Sequence, residues 1–242
     1  MLPALGWGAL AASSLVLGAL LAFARPWPAR WVGFVLAFGA GALISAISFE
    51  LWLEGARTGG FGVTAIGLAV GALTYFGLDA AIARRHSAGR GRRGRAGAED
   101  AGPALALGAF LDGVPEQMAL GIGLAAGEGV SVGLLVAIFI SNLPEAIGSA
   151  NDMARSGTAR GTIMRLWVAV AAICTLATVI GYAAASGSTG DFKAAIDGFA
   201  AGALIVMLID SMIPDATSES GRVAGLVTTL GFAVATALAT VS

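Results

Sequence analysis

Two copies of one pattern, Phe110-Leu-Asp-Gly-Val-Pro-Glu116 and Phe139-Ile-Ser-Asn-Leu-Pro-Glu145, stand 29 positions apart in a chain that is otherwise almost continuous hydrocarbon. Each places a carboxylate directly after a proline, in a stretch whose other residues are apolar or small. On a helix, Asp112 and Glu116 are four residues apart and share a face, and Glu145 shares one with Ser141. Proline cannot donate a backbone hydrogen bond, so Pro115 leaves the Leu111 carbonyl bare and Pro144 leaves that of Ile140. Carboxylates, freed carbonyls, the Asn142 amide and the Ser141 hydroxyl together make an oxygen-rich set of the kind that holds a cation between interrupted helices.

The surroundings of these residues read as a membrane. Hydrophobic residues make up 57% of the 242 and charged residues only 12%, with a mean hydropathy of +0.85, well above a soluble domain. Apolar stretches of about twenty residues, each able to cross ~30 Å of hydrocarbon, recur at roughly 4–24, 32–52, 61–82, 103–126, 131–151, 164–185, 196–213 and 223–241. The expected fold is all-α and polytopic, with eight transmembrane helices and residues 1–242 forming a single transmembrane domain. The first stretch has no basic segment before it and reads as a retained span.

The bases orient the chain. Arg25, Arg30, Arg84, Arg85, Arg90, Arg92, Arg93, Arg95, Arg155, Arg160, Arg165 and Arg222 fall on one side of the alternation, and only Arg57 and Lys193 on the other. Under the positive-inside rule both termini lie outside the cytoplasm of a cell (inner or plasma) membrane. The Arg/Gly-rich segment 83–102 cannot build a core and is expected to be a flexible cytoplasmic loop that sets topology and binds no nucleic acid. Asp152 beside Arg155 reads as terminal pairing, and Asp197 as a cap opening the seventh span.

An acid near the midplane costs roughly 2.5–3.5 kcal/mol on insertion scales. Counting from the span ends puts Glu116 and Glu145 there, and no expected span holds a Lys, Arg or His in its interior to neutralise them. The positive partner therefore comes from outside the sequence, as protons or a metal cation. A neutral, protonated cluster would make the acids tolerable but leaves their duplication unexplained. Single Cys174 allows neither an intrachain disulfide nor a thiolate cluster.

A second repeat brackets the first. Phe38-Gly-Ala-Gly-Ala-Leu-Ile44 leads to Glu50 and Glu54, and Phe199-Ala-Ala-Gly-Ala-Leu-Ile205 leads to Asp210, Pro214 and Asp215. Phe38 and Phe199 stand 161 positions apart, and the same offset carries Glu54 onto Asp215. The two segments run in opposite directions through the membrane, which gives three helices, two helices, three helices, with helices 1–3 and 6–8 as inverted repeats. Glu50 and Glu54 would then lie toward one side, Asp210 and Asp215 toward the other, and the central acids between them: a transport pathway for cations. Gly39, Gly41 and Gly202 permit close helix packing within the bundle or in a homodimer.

These residues resemble the ZIP metal-ion transporters. That family has eight helices in the same three-two-three inverted arrangement, both termini outside, a long inside loop after the third helix, and a His-Asn-x-Pro-Glu type motif on the fourth and fifth. The matching positions are Asp112-Gly113-Val114-Pro115-Glu116 and Ser141-Asn142-Leu143-Pro144-Glu145. Glu50-Leu-Trp-Leu-Glu54 and Asp210-Ser-Met-Ile-Pro-Asp215 are similar to the family's Leu-Pro-Glu-Ala endings. The resemblance implies a transporter, not an enzyme, that carries a divalent metal ion into the cytoplasm through Asp112, Glu116, Asn142, Glu145 and Ser141, with the lipid bilayer as its surroundings and no cofactor. Asp112 stands where the family usually has histidine, Gly113 where it has asparagine, and Ser141 where it has histidine or glutamine. An all-oxygen set suits Mn2+, Mg2+ or Fe2+, while carboxylates also accept Zn2+ and Cd2+.

Other readings compete. Gly77-Leu78-Asp79 resembles part of the aspartate motif of intramembrane aspartyl proteases, but Asp79 sits close to Arg84 and reads as half of a pair at a helix end. A proton-coupled carrier of another small solute, and a chain that keeps this fold without moving metal, also fit the composition.

Overall fold

The computed structural model describes residues 1–24, 27–92, 101–125, 130–187 and 190–241; within its helices the side chains of 82–92, 101–112 and 240–241 lie outside that description. All regular structure in the described residues is helical. The α-helices are α1 (Leu2–Ala24), α2 (Ala29–Ala46), α3 (Leu53–Gly59), α4 (Phe61–Arg92), α5 (Ala101–Ala125), α6 (Val132–Arg155), α7 (Arg160–Ala185), α8 (Gly190–Met207), α9 (Ile213–Ser220) and α10 (Ala224–Val241). Two of the joins are not loops. A π-helical segment, Ile47–Trp52, carries α2 straight into α3, and another, Leu208–Met212, carries α8 into α9.

Six stretches among the described residues are long and apolar enough to cross a membrane: Leu2–Ala24, Ala29–Gly59, Phe61–Ala81, Val132–Arg155, Arg160–Ala185 and Gly190–Ala239. The last is interrupted at Gly221, whose φ of 65° is left-handed backbone that glycine adopts without strain, so the chain turns there between α9 and α10. Large apolar side chains face outward along these helices, Leu73, Ile66 and Leu226 being more than two-thirds exposed. An outer surface of this kind is suited to lipid, where exposed hydrocarbon carries no penalty.

Glycine lets the helices meet backbone to backbone. A Cβ on Gly41 of α2 would run into the Thr228 carbonyl of α10, and one on Gly231 of α10 into the Phe38 carbonyl of α2. The same contact recurs between α8 and α4, where Gly202 faces the Leu68 carbonyl and Gly71 faces that of Phe199. Gly41 and Gly202 are 161 positions apart, so the segment related to α2 packs as α2 does. Side chains this small allow close approach without a hydrophobic driving force between helices.

Two expectations change at the ends of the helices. Helix α4 continues to Arg92, through residues 83–92 of the segment read as a flexible loop; Arg and Ala are strong helix formers and extend a helix already nucleated in the apolar stretch. At its other end residues 101 and 102 already belong to α5, and 93–100 lie outside the described residues. Helix α8 begins at Gly190, so Asp197 falls inside it and does not cap it.

Candidate metal centre

The two Pro-Glu motifs sit on α5 and α6, and both helices run through their prolines, Pro115 and Pro144. Ser131 fixes the start of α6, its side chain accepting from the Leu134 N–H at 3.0 Å. Around the motif small residues bring the neighbours in. Gly39 of α2 would place a Cβ 3.1 Å from the Ser141 Cα, Gly18 of α1 lies against the Leu143 carbonyl, and Gly113 of α5 would place one 2.8 Å from the Cys174 sulfur of α7. Three helices, α1, α2 and α7, thus press on the segment 141–147 or on its partner in α5.

Glu116, Ser141 and Asn142 are buried to within 2% of full enclosure. The Ser141 hydroxyl reaches Glu116 at 3.1 Å to Oε1 and 3.2 Å to Oε2, and also the Ile138 carbonyl at 3.0 Å. The Asn142 Nδ2 is buried without a hydrogen-bond partner among the described residues. Beside Glu116 in sequence, Gln117 accepts from the Thr178 hydroxyl at 2.6 Å, which pins α5 to α7. Asp112 lies in α5 one turn before Glu116, and its side chain is outside the described residues.

A cavity of about 420 Å³ reaches Glu116. Glu116, Pro144 and Glu145 line it at depth, and Asp152, Arg155, Asp215 and Glu219 also line it. Asp152 and Arg155 are 4.0 Å apart and about two-thirds exposed, the terminal pair read from the sequence. Arg155 lines the cavity, and Arg30 follows Ala29, another lining residue.

The outer acids separate into different environments. Asp215 lines the cavity, as does Ser211, whereas Asp210 is exposed and not among the lining residues. The π-helical segment accounts for this: its wider turn rotates the residues after it off the 3.6-residue register, so the side chain that faces the cavity is Ser211. Glu50 and Glu54 do not line the cavity either. Glu50 is largely enclosed and hydrogen-bonds the Ser131 side chain, while its Oε2 has no partner among the described residues. Glu54 is held by Lys193 at 3.1 Å and by the Thr58 hydroxyl at 3.2 Å. Sequence reading missed both π segments, although their starts, Ile47 and Leu208, stand 161 positions apart, the offset of the repeat itself.

Among the described residues no group of three or more His, Cys, Asp or Glu side chains stands close enough to hold a metal. The described part of the centre is instead two carboxylates supplemented by hydroxyl and amide, the hard, oxygen-dominated chemistry expected of ions that favour carboxylate and carbonyl ligands.

Fold and site together define an all-helical chain with membrane-crossing stretches and a buried carboxylate at the foot of a cavity. No protein-family model matches it. It is 28% identical over 212 residues to an Arabidopsis thaliana protein named "Putative zinc transporter", a match that covers 86% of this chain and 34% of the relative. The chain therefore spans about a third of the length of the curated relative it matches. That likeness agrees with the resemblance to ZIP transporters carried by the Pro-Glu motifs.

Proposed function

We propose that the protein is a membrane transporter that moves a divalent metal cation into the cytoplasm, through a centre formed by Asp112, Glu116, Asn142 and Glu145 with Ser141 at its edge. The observation that carries this reading is the cavity that ends on Glu116 and Glu145. Carboxylates that line a cavity with a polar mouth, inside an apolar bundle, offer a cation oxygen ligands and an aqueous route by which it can arrive or leave. The likeness to a protein named as a zinc transporter supports the same class.

In this reading the chain crosses the membrane eight times as three helices, two helices and three helices, α5 and α6 being the central pair. The matched π segments and the twice-used glycine contacts support the inverted repeat. With the arginine-rich side in the cytoplasm, the cavity faces inward, and Asp215 and Glu219 attract the departing cation by charge. Glu50 and Glu54 belong to the opposite approach, which is closed in this arrangement. Movement of the central pair against the outer repeats would close one side and open the other. The ion is metal as substrate, with no cofactor and no chemical reaction.

Reconstitution in liposomes with a panel of Mn2+, Zn2+, Fe2+, Cd2+ and Mg2+ tests the proposal directly. Uptake of at least one of these is expected; if none crosses while the protein is folded and inserted, metal transport is ruled out.

A further inference from the structure

We propose that Lys193, the single lysine of the chain, is an exchangeable counter-ion that holds Glu54 in the arrangement described and passes to Asp197 when a divalent cation engages Glu54. The role given to Glu54 rests on the transport reading, in which that residue lies on the approach opposite the cavity.

Asp197 is the odd group. It lies two turns into α8, is only 2% exposed, and its Oδ2 is buried with no hydrogen-bond partner among the described residues. Packing encloses it. A Cβ on Gly55 of α3 would stand 3.1 Å from the Asp197 Cβ and 3.0 Å from the Thr64 Cγ2 of α4, so three elements close over this carboxyl. A buried acceptor left without a donor is costly, and a carboxylate more so than a neutral group.

The nearest base is already in use. Lys193 is one turn before Asp197 on the same helix, which stacks the two side chains on one face, and its Nζ lies 3.1 Å from Glu54 Oε1 across the α3–α8 contact. Charges on both Lys193 and Glu54 act at Asp197. Two carboxylates thus share one ammonium, and the one being served is the more exposed. Arg57 is the only base on α3, and Asp191 the remaining acid on the first turns of α8.

Lysine suits such an exchange. Its ammonium is a compact charge on a flexible stem with rotatable donors, whereas the planar fork of arginine favours a fixed bidentate partner. The Lys193–Glu54 pair is partly open, with 17% and 39% of the side chains exposed, and pairs open to solvent bind weakly. A divalent cation brings twice the charge to Glu54 and repels the ammonium, for which the unsatisfied Oδ2 of Asp197 is the available acceptor. Arrival of a cation would then be compensated inside the protein, without leaving either carboxylate unpaired.

Because the chain has one lysine, full-length protein labelled with 15Nζ-lysine and placed in lipid nanodiscs gives one side-chain ammonium signal. Saturation with Zn2+ should shift it. Glu54→Gln without metal should already show the shifted position, because nothing then retains the ammonium at α3. Asp197→Asn should fail to reach that position, and in liposomes should raise the KM for uptake about threefold to fivefold, an effect that vanishes in a Lys193→Met background. A lysine signal indifferent to Zn2+, an unchanged response in Asp197→Asn, or a Glu54→Gln signal matching metal-free wild type would each overturn the exchange. A zinc-responsive lysine in a protein that takes up no metal would remove transport and leave the exchange standing; uptake with a silent lysine would do the reverse.

Discussion

The Ser141 hydroxyl on α6 lies 3.1 Å and 3.2 Å from the two carboxylate oxygens of Glu116 on α5, so the two Pro-Glu motifs are joined directly at their polar residues. One hydroxyl proton serves either oxygen, or the Ile138 carbonyl at 3.0 Å, so a cation at Glu116 can displace it toward that carbonyl. The serine therefore orients the carboxylate.

Replacing that oxygen by sulfur should change which ion is preferred. Ser141→Cys is nearly isosteric, which matters because Gly39 packs against the backbone of this residue. Soft thiolate favours Zn2+ and Cd2+ over Mn2+ and Mg2+, so the ratio of Zn2+ to Mn2+ uptake should rise by about tenfold, measured in liposomes with both ions present. An unchanged ratio would place Ser141 outside the coordination sphere.

Removing charge from the centre should stop uptake. Glu116→Gln and Glu145→Gln keep the volume and lose the anion, and each is expected to reduce divalent uptake at least a hundredfold, about 3 kcal/mol. Size-exclusion profiles and helical content should match the parent. If both variants transport normally, the cation passes elsewhere.

The cavity makes a directional prediction. Cys174 is fully buried, so it should give no background with a membrane-impermeant maleimide. A cysteine introduced at Ser149, which lines the cavity, should be modified from the arginine-rich face of oriented vesicles and not from the other. Modification from the opposite face would reverse the orientation proposed from the positive-inside rule.

Close glycine contacts should dominate stability. Gly41→Ala and Gly202→Ala each push a methyl into the carbonyl of a facing helix, and overpacking of this kind costs about 1–3 kcal/mol. Gly77→Ala, with open space around it, should be neutral or slightly stabilising. Thermal unfolding in detergent checks all three; equal midpoints would show that the helices adjust freely.

The residues of the candidate centre were legible because they break the rule of their surroundings. Glu116 and Glu145 stand out in any apolar stretch, and the structure brings both to the foot of one cavity. Ser141 and Asn142 came from helical spacing around the second motif. The acids of the outer segments were harder. Asp210 looked equivalent to a pathway residue under a uniform 3.6-residue turn, but a π segment shifts the register of the residues after its start and puts Ser211 in that place. Glu54 was read only as a pathway residue, since Lys193 is 139 positions away in sequence, and only the α3–α8 contact reveals the pair.

By itself the sequence pointed to the medium and the chemistry: composition suits the helices to lipid, and a repeated carboxylate without an intramembrane base points to protons or a metal cation as its partner. Tertiary structure alone decided which acids share a cavity, which are already paired, and that Asp197 is buried, not a solvated cap. The physical reason is that hydropathy and helical period are local quantities, whereas access, burial and counter-charge depend on which helices meet, and here that meeting is set by glycine contacts between segments far apart in the chain.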